Sequence, residues 1–425
     1  FLGCLTPEIR DDSLVNHLSI PACFANAHRI AIHPYNMNMG RPQLVHMYYI
    51  LPLLFQNVYA AKLIHSMLAL VGLAATGWLL VRTCERRALW PALYLFYSLP
   101  VVTFYATCTY IDLVRIYFEV WPLWLVMRYC AAGRRSDFVI AAVIFGFGMA
   151  VHWLSWLWGW LALTGTTFFA VLFAAGMRQW KQAVLLVVAF GALSAAIFSP
   201  WIIRNWILMG NPSQALFPEA AGGDQALRVN PLFAYYLAAL RDLPQRIYQA
   251  VWVISVSGSC PPILLLAATV LMFFLRDRHP MRAAMLVFAW LHLLLFAVAL
   301  PSQDGRYIIP GFAVSVIVFF HYVEQMFTRH ARYRTYLVWG ILGLGLVNIA
   351  MAKQRLYADF GEPPWPVYSK HAREQFLAQR FKDPTYIPLL HCLNDELPPR
   401  SKVLLDTMIG PLYVWRSFMS HSYRA

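Results

Sequence analysis

The feature that most constrains this chain is a series of long apolar stretches that recur along most of its length. Leu68–Leu80, Ala183–Ile203 and Pro262–Leu275 each lie within a window of about 20 mostly apolar residues, the length that an α-helix needs to cross a bilayer. Charged residues make up only 13% of the 425-residue chain, whereas roughly 25% is usual in a soluble domain. The sequence therefore predicts an all-α polytopic membrane protein.

These stretches predict about ten membrane-spanning helices joined by short polar connections. Gln43–Phe55 is also apolar, but it is short and contains Pro52, so we expect an interfacial or re-entrant helix in place of a full span. The chain begins at Phe1 without an initiator methionine, and we expect a further membrane helix ahead of it. The predicted spans are Val58–Val81, Ala88–Thr107, Ile111–Val126, Phe138–Val151, Leu154–Ala175, Ala183–Ile203, Ile247–Leu275, Ala283–Leu300, Tyr307–Phe327 and Tyr336–Ala350.

Basic residues gather in alternate connections between these spans. Positively charged loops stay on the cytoplasmic side, so the other connections are predicted to lie outside the cytoplasm. The formal net charge is +14, but it is spread over these clusters instead of forming one basic face, so nucleic acid is not an expected partner. The basic connections contain Arg82, Arg86 and Arg87; Arg128, Arg134 and Arg135; Arg178 and Lys181; Arg276, Arg278 and Arg282; and Arg329, Arg332 and Arg334.

The predicted outer side holds most of the acidic residues and most of the irregular backbone, so it is the predicted working side. Near the end of the chain, Pro388–Glu396 predicts a short helix and Lys402–Leu405 a buried strand, which indicate the start of a small α/β external domain. The predicted regions are a first external region at 1–57, a transmembrane bundle at 58–352 with an external segment at 204–246, and an external C-terminal region at 353–425.

Two acidic groups on the outer side are candidates for chemistry. Glu8, Asp11 and Asp12 lie close together in the first external region, and unpaired carboxylates at a membrane boundary are costly to desolvate. They are either a solvated group that caps the following helix or an acid–base group with a task. Asp112 begins a span, where it could pair with Arg115 or project into the same outer cavity as Asp12.

Two isolated arginines lie on the predicted outer side, although basic residues otherwise concentrate in the predicted cytoplasmic connections. Arg204 lies near the end of one span, and Arg306 lies two residues after Asp304 at the start of another. Each could simply extend to lipid head groups, and Arg306 could pair with Asp304. A planar guanidinium is also suited to phosphate recognition, which makes a lipid phosphate the expected ligand.

The histidines and cysteines do not define a metal site. His17, His33, His46 and His152 are predicted to be external, but a metal site would need several of them to converge, and their spacing does not establish that. The seven cysteines include no CxxC pair. No metal ligand is therefore assigned, no cofactor is certain, and a divalent cation is left open.

Several motifs resemble those of bacterial polyprenyl-phosphate-sugar-dependent glycosyltransferases. These are GT-C fold enzymes related to protein O-mannosyltransferases and to the lipid A aminoarabinose transferase. The order and sidedness of the motifs are more specific than any single one. They are Thr6-Pro7-Glu8-Ile9, Asp12-Ser13-Leu14-Val15, His17-Leu18, Pro34-Tyr35-Asn36, Tyr110-Ile111-Asp112-Leu113, Pro200-Trp201 with Arg204-Asn205-Trp206, Gly210-Asn211-Pro212, Arg306-Tyr307, Leu393-Asn394, Leu397-Pro398-Pro399 and Lys402-Val403-Leu404.

The resemblance implies a bundle of the GT-C type and a role for each acidic residue. An acidic residue of the first external loop acts as base toward the acceptor, which assigns that role to Asp12, with Asp11 or Glu8 as alternatives. Asp112 is implied to shape the site or to hold the acceptor. The family commonly has an aromatic residue where Asp11 stands and a tyrosine where Asn16 stands, so the choice of base stays open.

The resemblance also implies that arginines near the later span ends bind the carrier phosphate. This points to Arg306 and Arg204, and we add Arg115, which lies beside Asp112. The residues assigned to substrate binding are Glu8, His17, Tyr307 and Asn205.

The expected function is transfer of a hexosyl or pentosyl sugar from a polyprenyl-phosphate carrier to an unknown acceptor. The expected location is the outer face of a bacterial inner membrane, where membrane lipid is a further partner. The alternatives are a lipid-linked glycan flippase or other transporter, and a catalytically inert GT-C-like subunit of a membrane complex. A transporter would need charged residues deep in its spans. The spans are nearly free of charge at their centres, with Glu119 as the main exception, which favours the transferase.

Overall fold

The structure is a computed structural model, and its described residues are helical almost throughout, which confirms the predicted all-α fold. It describes residues 2–10, 12–30, 37–55, 57–83, 86–212, 241–256, 261–277, 279–299, 305–329, 334–360, 369–381, 403–405 and 418–420, with single residues at 388, 392 and 396. The α-helices in these residues are α1 Ser19–Ala27, α2 Leu44–Leu54, α3 Val58–Thr83, α4 Leu89–Ser98, α5 Pro100–Tyr105, α6 Arg115–Ala132, α7 Arg135–Val151, α8 Trp160–Ala175, α9 Trp180–Met209, α10 Leu243–Val256, α11 Pro261–Phe274, α12 Pro280–Ala299, α13 Ile309–Arg329, α14 Arg334–Phe360 and α15 Lys370–Phe381.

The described helices include five that are long and apolar enough to cross a membrane. The other predicted spans correspond to shorter helices, α4 to α8, α10 and α11. The prediction of a polytopic helical membrane protein is confirmed. The five long segments are Val58–Thr83, Trp180–Met209, Pro280–Ala297, Gly305–Met326 and Thr335–Ala358.

One predicted span is not a single helix. The span Ala88–Thr107 divides at Leu99, whose backbone is extended (φ −54°, ψ 127°), into α4 and α5. Pro100 disfavours a helical conformation in the residue before it and begins the next helix. Within the span Ile247–Leu275 the structure describes α10 and α11, and residues 257–260 between them lie outside the described residues.

Close helix packing builds the bundle around α6. This helix packs against α3, α7, α8 and α13, and α9 packs against α7 and α8. Fully buried rings such as Phe145 and Phe190 fill the spaces between the helices. Gly146 lets α7 approach α9, because a Cβ there would lie 2.6 Å from the Ile197 Cβ and 2.8 Å from the Ser194 carbonyl oxygen. Small residues of this kind let membrane helices come close enough for van der Waals packing.

The connections at one end of the bundle collect the candidate polar residues. Asp12, Asp112 and Arg306 lie on or beside short 3₁₀ or π-helical segments there, although they are far apart in the sequence. The segments are Ser13–Leu18 before α1, Asp112–Val114 before α6, Ser155–Gly159 before α8 and Gly305–Ile308 before α13.

The C-terminal region contributes a helix and a short sheet. In α15, Leu377 joins a buried cluster that contains Leu14 of the N-terminal region. Val403–Leu405 pairs in parallel with Phe418–Ser420, so a strand forms at the predicted position. The predicted helix at Pro388–Glu396 lies mostly outside the described residues.

Replacing Gly146 by alanine is expected to destabilise the bundle, because the new methyl group would overlap α9. Overpacking of this kind costs about 1–3 kcal/mol. Gly343 in α14 is the matched control, since a Cβ there meets no atom within 4 Å. Thermal unfolding in detergent should show a lower midpoint for Gly146→Ala and an unchanged or higher midpoint for Gly343→Ala. Equal midpoints for the two variants would contradict the proposed close packing.

Candidate active site

A polar cavity opens where the short segments at this end of the bundle meet α2. Its volume is about 470 Å³, including its open mouth. Its walls contain carboxylate, guanidinium and imidazole groups together. The lining residues are Asp12, Asn16, His17, Ile20, Asn38, Arg41, Pro42, Gln43, His46, Ile111, Asp112, His152, Trp153, Arg306 and Tyr307.

An ion pair between Asp12 and Arg306 lies at the centre of this arrangement. Arg306 Nη1 is 2.9 Å from Asp12 Oδ2, and the side chains are only 11% and 31% exposed, respectively. Asn16 donates a hydrogen bond to Asp12 Oδ1 (2.7 Å), and Asn38 donates to the Asn16 Oδ1 (2.6 Å). His17 Nε2 is 3.7 Å from Asp12 Oδ2. The carboxylate is therefore held in one orientation from several sides.

These contacts determine the charge state of Asp12. Burial alone would raise the pKa of its carboxyl group. The charge and hydrogen bond of His17, the charge of Arg306 and the hydrogen bond from Asn16 together hold the pKa of Asp12 well below its usual range. Asp12 is therefore an ionised carboxylate at neutral pH.

Aromatic rings surround the Arg306 guanidinium. Its central carbon is 4.5 Å from the ring centroid of Tyr110, 4.7 Å from that of Tyr307 and 5.6 Å from that of Tyr105. Arg306 Nη2 also donates to the Tyr307 hydroxyl (2.6 Å). Cation–π contacts of this kind hold a guanidinium plane in place while its N–H groups bind an anion in that plane, here the Asp12 carboxylate.

The second carboxylate of the cavity, Asp112, faces His152. The Leu154 backbone N–H donates to His152 Nδ1 (3.0 Å), so that nitrogen carries no proton. Burial, together with the charges of nearby arginines, lowers the pKa of His152 well below its usual range. The ring is therefore neutral, and its proton is on Nε2, which is 3.7 Å from Asp112 Oδ1.

Three of the predicted external histidines converge on the cavity, which their sequence spacing did not indicate. His17 Nδ1 is 2.8 Å from His46 Nε2, and the two rings are stacked. His152 lines the same cavity, and His33 lies outside the described residues. Across the part of the chain that the structure describes, no group of three or more His, Cys, Asp or Glu side chains is arranged to hold a metal ion.

Arg41 and Trp153 are cavity residues that sequence reasoning missed. Both line the cavity, and the Arg41 guanidinium lies 5.7 Å from the Trp153 ring centroid. The available signal was a basic residue next to Pro42 on the predicted outer side, where isolated arginines are unusual.

No protein-family model and no curated protein matches the sequence. Solved structures do match it. ArnT from Cupriavidus metallidurans in the apo state is similar with a TM-score of 0.61 at 14% identity, over 98% of this chain and 82% of that chain. The same protein bound to undecaprenyl phosphate gives a TM-score of 0.59 at 16% identity, over the same shares. The chain has the GT-C fold.

A second GT-C protein is also similar. It is the archaeal oligosaccharyltransferase AglB from Archaeoglobus fulgidus, in complex with an inhibitory peptide and a dolichol-phosphate. The TM-score is 0.55 at 12% identity, over 97% of this chain and 61% of that chain. The predicted resemblance to GT-C enzymes is therefore confirmed at the level of the fold.

Within this GT-C fold, the predicted site residues separate into two groups. Asp12, His17, Asp112, Arg306 and Tyr307 line the cavity together. Glu8, Arg115, Arg204 and Asn205 do not line it, and Asp11 lies outside the described residues.

The structure places Glu8 and Arg115 away from the cavity lining. Glu8 is buried, and its Oε2 accepts hydrogen bonds from the Thr109 backbone N–H (3.0 Å) and hydroxyl (3.1 Å). It therefore ties the N-terminal region to the turn before α6. Arg115 is fully buried and forms an ion pair with Glu119 (2.9 Å), so its charge is already compensated. The expected contacts of Glu8 with substrate and of Arg115 with the carrier phosphate stay predictions.

Arg204 and Asn205 hydrogen-bond to the backbone of a turn next to the cavity. Arg204 Nη2 donates to the Met39 carbonyl (2.7 Å), and Asn205 Nδ2 donates to the Gly40 carbonyl (2.7 Å). The end of α9 therefore holds the turn that carries Asn38, whose amide reaches the carboxylate network of the cavity through Asn16. Their expected contacts with phosphate and substrate stay predictions.

Asn205→Ala is expected to loosen this turn, because the buried Gly40 carbonyl loses its donor. Leaving a buried polar group unpaired costs about 1–3 kcal/mol of stability. We therefore expect amide hydrogen exchange in residues 37–46 to accelerate by about tenfold. Asn348→Ala, which removes another buried asparagine in α14, is the control. Unchanged exchange in residues 37–46 of Asn205→Ala would show that α9 does not hold this turn.

Proposed function

We propose that this protein is an integral membrane glycosyltransferase. It moves a sugar from a polyprenyl-phosphate carrier to an acceptor at the extracytoplasmic face of a bacterial inner membrane. The observation that carries the proposal is a carboxylate and a guanidinium, Asp12 and Arg306, 2.9 Å apart in one cavity at the end of a membrane bundle. Displacement at a sugar phosphate needs a base for the acceptor and a cation for the departing phosphate.

The similar structures support the choice of donor. ArnT is bound to undecaprenyl phosphate and AglB to a dolichol-phosphate, so polyprenyl phosphates occur on two proteins of this fold. For this chain, Arg306 is proposed as the main phosphate ligand, and Arg41 across the cavity as a second cation. A guanidinium can bind two phosphate oxygens at once.

The proposed reaction is a single displacement that inverts the anomeric carbon. The acceptor hydroxyl loses its proton to an Asp12 oxygen while its own oxygen forms a bond to the anomeric carbon. The bond between that carbon and the phosphate oxygen breaks, and the carrier phosphate leaves with the bonding electrons. Arg306 stabilises the charge that develops on this phosphate. Asp112 and the neutral His152 are proposed to orient the acceptor hydroxyl, since both face the same cavity.

The ion pair with Arg306 makes Asp12 a weak base before the donor binds, and donor binding would make it a stronger one. Arg306 keeps the pKa of Asp12 low while the two groups contact each other. A donor phosphate that binds Arg306 brings negative charge close to the carboxylate and offsets the charge of the guanidinium. The pKa of Asp12 then rises, and the carboxylate becomes a better proton acceptor.

The positions of the buried charges bear on the alternative of a transporter. The sequence predicts spans nearly free of charge at their centres, with Glu119 as the main exception, and the structure buries the charged side chains of Lys62, Arg115 and Glu119 in helices. Lys62, Arg115 and Glu119 lie within the first five residues of their helices, on the side of the cavity. Lys62 donates to the Thr6 carbonyl (3.0 Å) of the N-terminal region. This distribution supports a site at one end of the bundle over a path through it.

Asp12→Asn is expected to lower sugar transfer by at least about 100-fold, because the acceptor loses its base. Binding of undecaprenyl phosphate should be retained or tightened, since Arg306 loses a competing carboxylate. Asp137→Asn is the matched control, because Asp137 pairs with Arg128 (3.2 Å) at the opposite end of α7 from His152. Transfer by purified protein in liposomes and carrier binding are measured for both variants. Undiminished transfer by Asp12→Asn would remove Asp12 from the mechanism, and wild-type protein that binds carrier without transfer would favour an inert subunit.

Asn16→Ala is expected to move the acid limb of the pH–activity profile to higher pH. The Asn16 amide stabilises the charged form of Asp12, and its loss raises the pKa of Asp12 toward the usual value. Asp12 is then protonated earlier as the pH falls, and a protonated carboxyl group cannot act as base. The profile of kcat/KM against pH measures this shift, with Asn57→Ala as an exposed control. An acid limb that stays in place or moves to lower pH contradicts the assignment of Asp12 as the base.

A further inference from the structure

A second polar group, separate from the cavity lining, lies buried in the bundle around Glu119. Arg115 Nε donates to Glu119 Oε1 (2.9 Å) and lies 3.0 Å from the Ser155 Oγ, and the Ser155 hydroxyl donates to Glu119 Oε1 (2.7 Å). His292 Nε2 is 2.8 Å from Glu119 Oε2. The Arg115 and Glu119 side chains are 0% exposed. Both oxygens of the carboxylate are thus engaged by groups from three helical segments.

The same group reaches the segment that carries Arg306. Arg115 Nη1 donates to the backbone carbonyl of Tyr307 (2.8 Å), the residue that follows Arg306. Pro310 has no backbone N–H, so α13 cannot supply the usual helical hydrogen bond to the Arg306 carbonyl four residues earlier. Arg115 holds the Gly305–Ile308 segment from outside its own helix, through its hydrogen bond to the Tyr307 carbonyl.

The side chains around Glu119 are closely packed. A Cβ at Gly159 would lie 3.0 Å from the Glu119 Cδ, and a Cβ at Gly311 would lie 2.8 Å from the His292 Cβ. Both glycines therefore allow neighbouring helices to close on the charged group. A buried ion pair seldom adds stability over apolar side chains of similar volume, and its better-supported use is to specify one arrangement.

We propose that Arg115 and Glu119 are positioning residues for Arg306: they fix the Tyr307 carbonyl and so hold the Arg306 guanidinium at the place where it meets the carrier phosphate. Ser155 and His292 orient Glu119, and the carboxylate orients Arg115. The inference rests on the proposed function, because it assigns Arg306 the phosphate of the donor. It adds that a residue without contact to the donor sets the affinity for it.

The experiment is a double-mutant cycle read out by binding of undecaprenyl phosphate to the purified protein. Arg115→Lys keeps the positive charge beside Glu119 but cannot hold Glu119 and the Tyr307 carbonyl in the same forked geometry. We expect it to weaken binding by about tenfold, or roughly 1.4 kcal/mol. In an Arg306→Ala background the same substitution should change binding by less than about twofold, because the residue through which it acts is gone.

Two further variants keep the test decisive. Ser155→Ala removes the two hydrogen bonds of the Ser155 hydroxyl from the group without changing its charges, and it should weaken binding by about threefold. It serves as the test if Arg115→Lys fails to fold. Ser194→Ala removes a buried hydrogen bond to the Ala142 carbonyl (3.1 Å) between α7 and α9, and should leave binding unchanged.

Equal effects of Arg115→Lys in the two backgrounds would overturn the inference, since a general structural role does not depend on Arg306. Unchanged binding in both Arg115→Lys and Ser155→Ala would overturn it as well. Failure of the proposed function is a different result: Arg306→Ala alone would then bind undecaprenyl phosphate as tightly as the wild type.

Discussion

The ion pair between Asp12 and Arg306 is the interaction on which the rest of this site depends. Its partners come from the N-terminal region and from the start of α13, which are nearly 300 positions apart along the chain. A carboxylate that is partly removed from water needs compensation, and the guanidinium supplies it. The same pair sets opposite charges side by side, which is the arrangement that transfer from a sugar phosphate requires. The same two residues therefore stabilise the cavity and carry its proposed chemistry.

The bundle holds this pair from two directions. On one side, Asn205 and Arg204 at the end of α9 bind the backbone of the turn that carries Asn38, which supports Asp12 through Asn16. On the other side, the buried group around Glu119 reaches the backbone beside Arg306. Close contacts at glycines bring the helices near enough for both. Polar residues that do not line the cavity thus have a structural reason to lie near it.

Sequence reasoning recovered the fold class and most spans, because apolar length and loop charge follow directly from the solvent that surrounds the helices. It also selected Asp12, Asp112 and Arg306, which stand out as polar residues on the predicted outer side. It left the ion-pair partner of Arg115 open, because the sequence does not show which neighbour a helical residue faces, and the choice between Asp112 and Glu119 is decided by packing. Arg41 was missed for a related reason, since its role depends on a cavity formed by distant segments.

The most direct test of the account is a cryo-EM structure of the protein with undecaprenyl phosphate. The account predicts density for the phosphate inside the cavity, within hydrogen-bond distance of the Arg306 guanidinium, with Asp12 and Asp112 on the adjacent wall. The Asp12–Arg306 distance should be longer than 2.9 Å in that complex, because the phosphate competes for the guanidinium. Phosphate density outside the cavity, with the ion pair unchanged, would contradict the central claim.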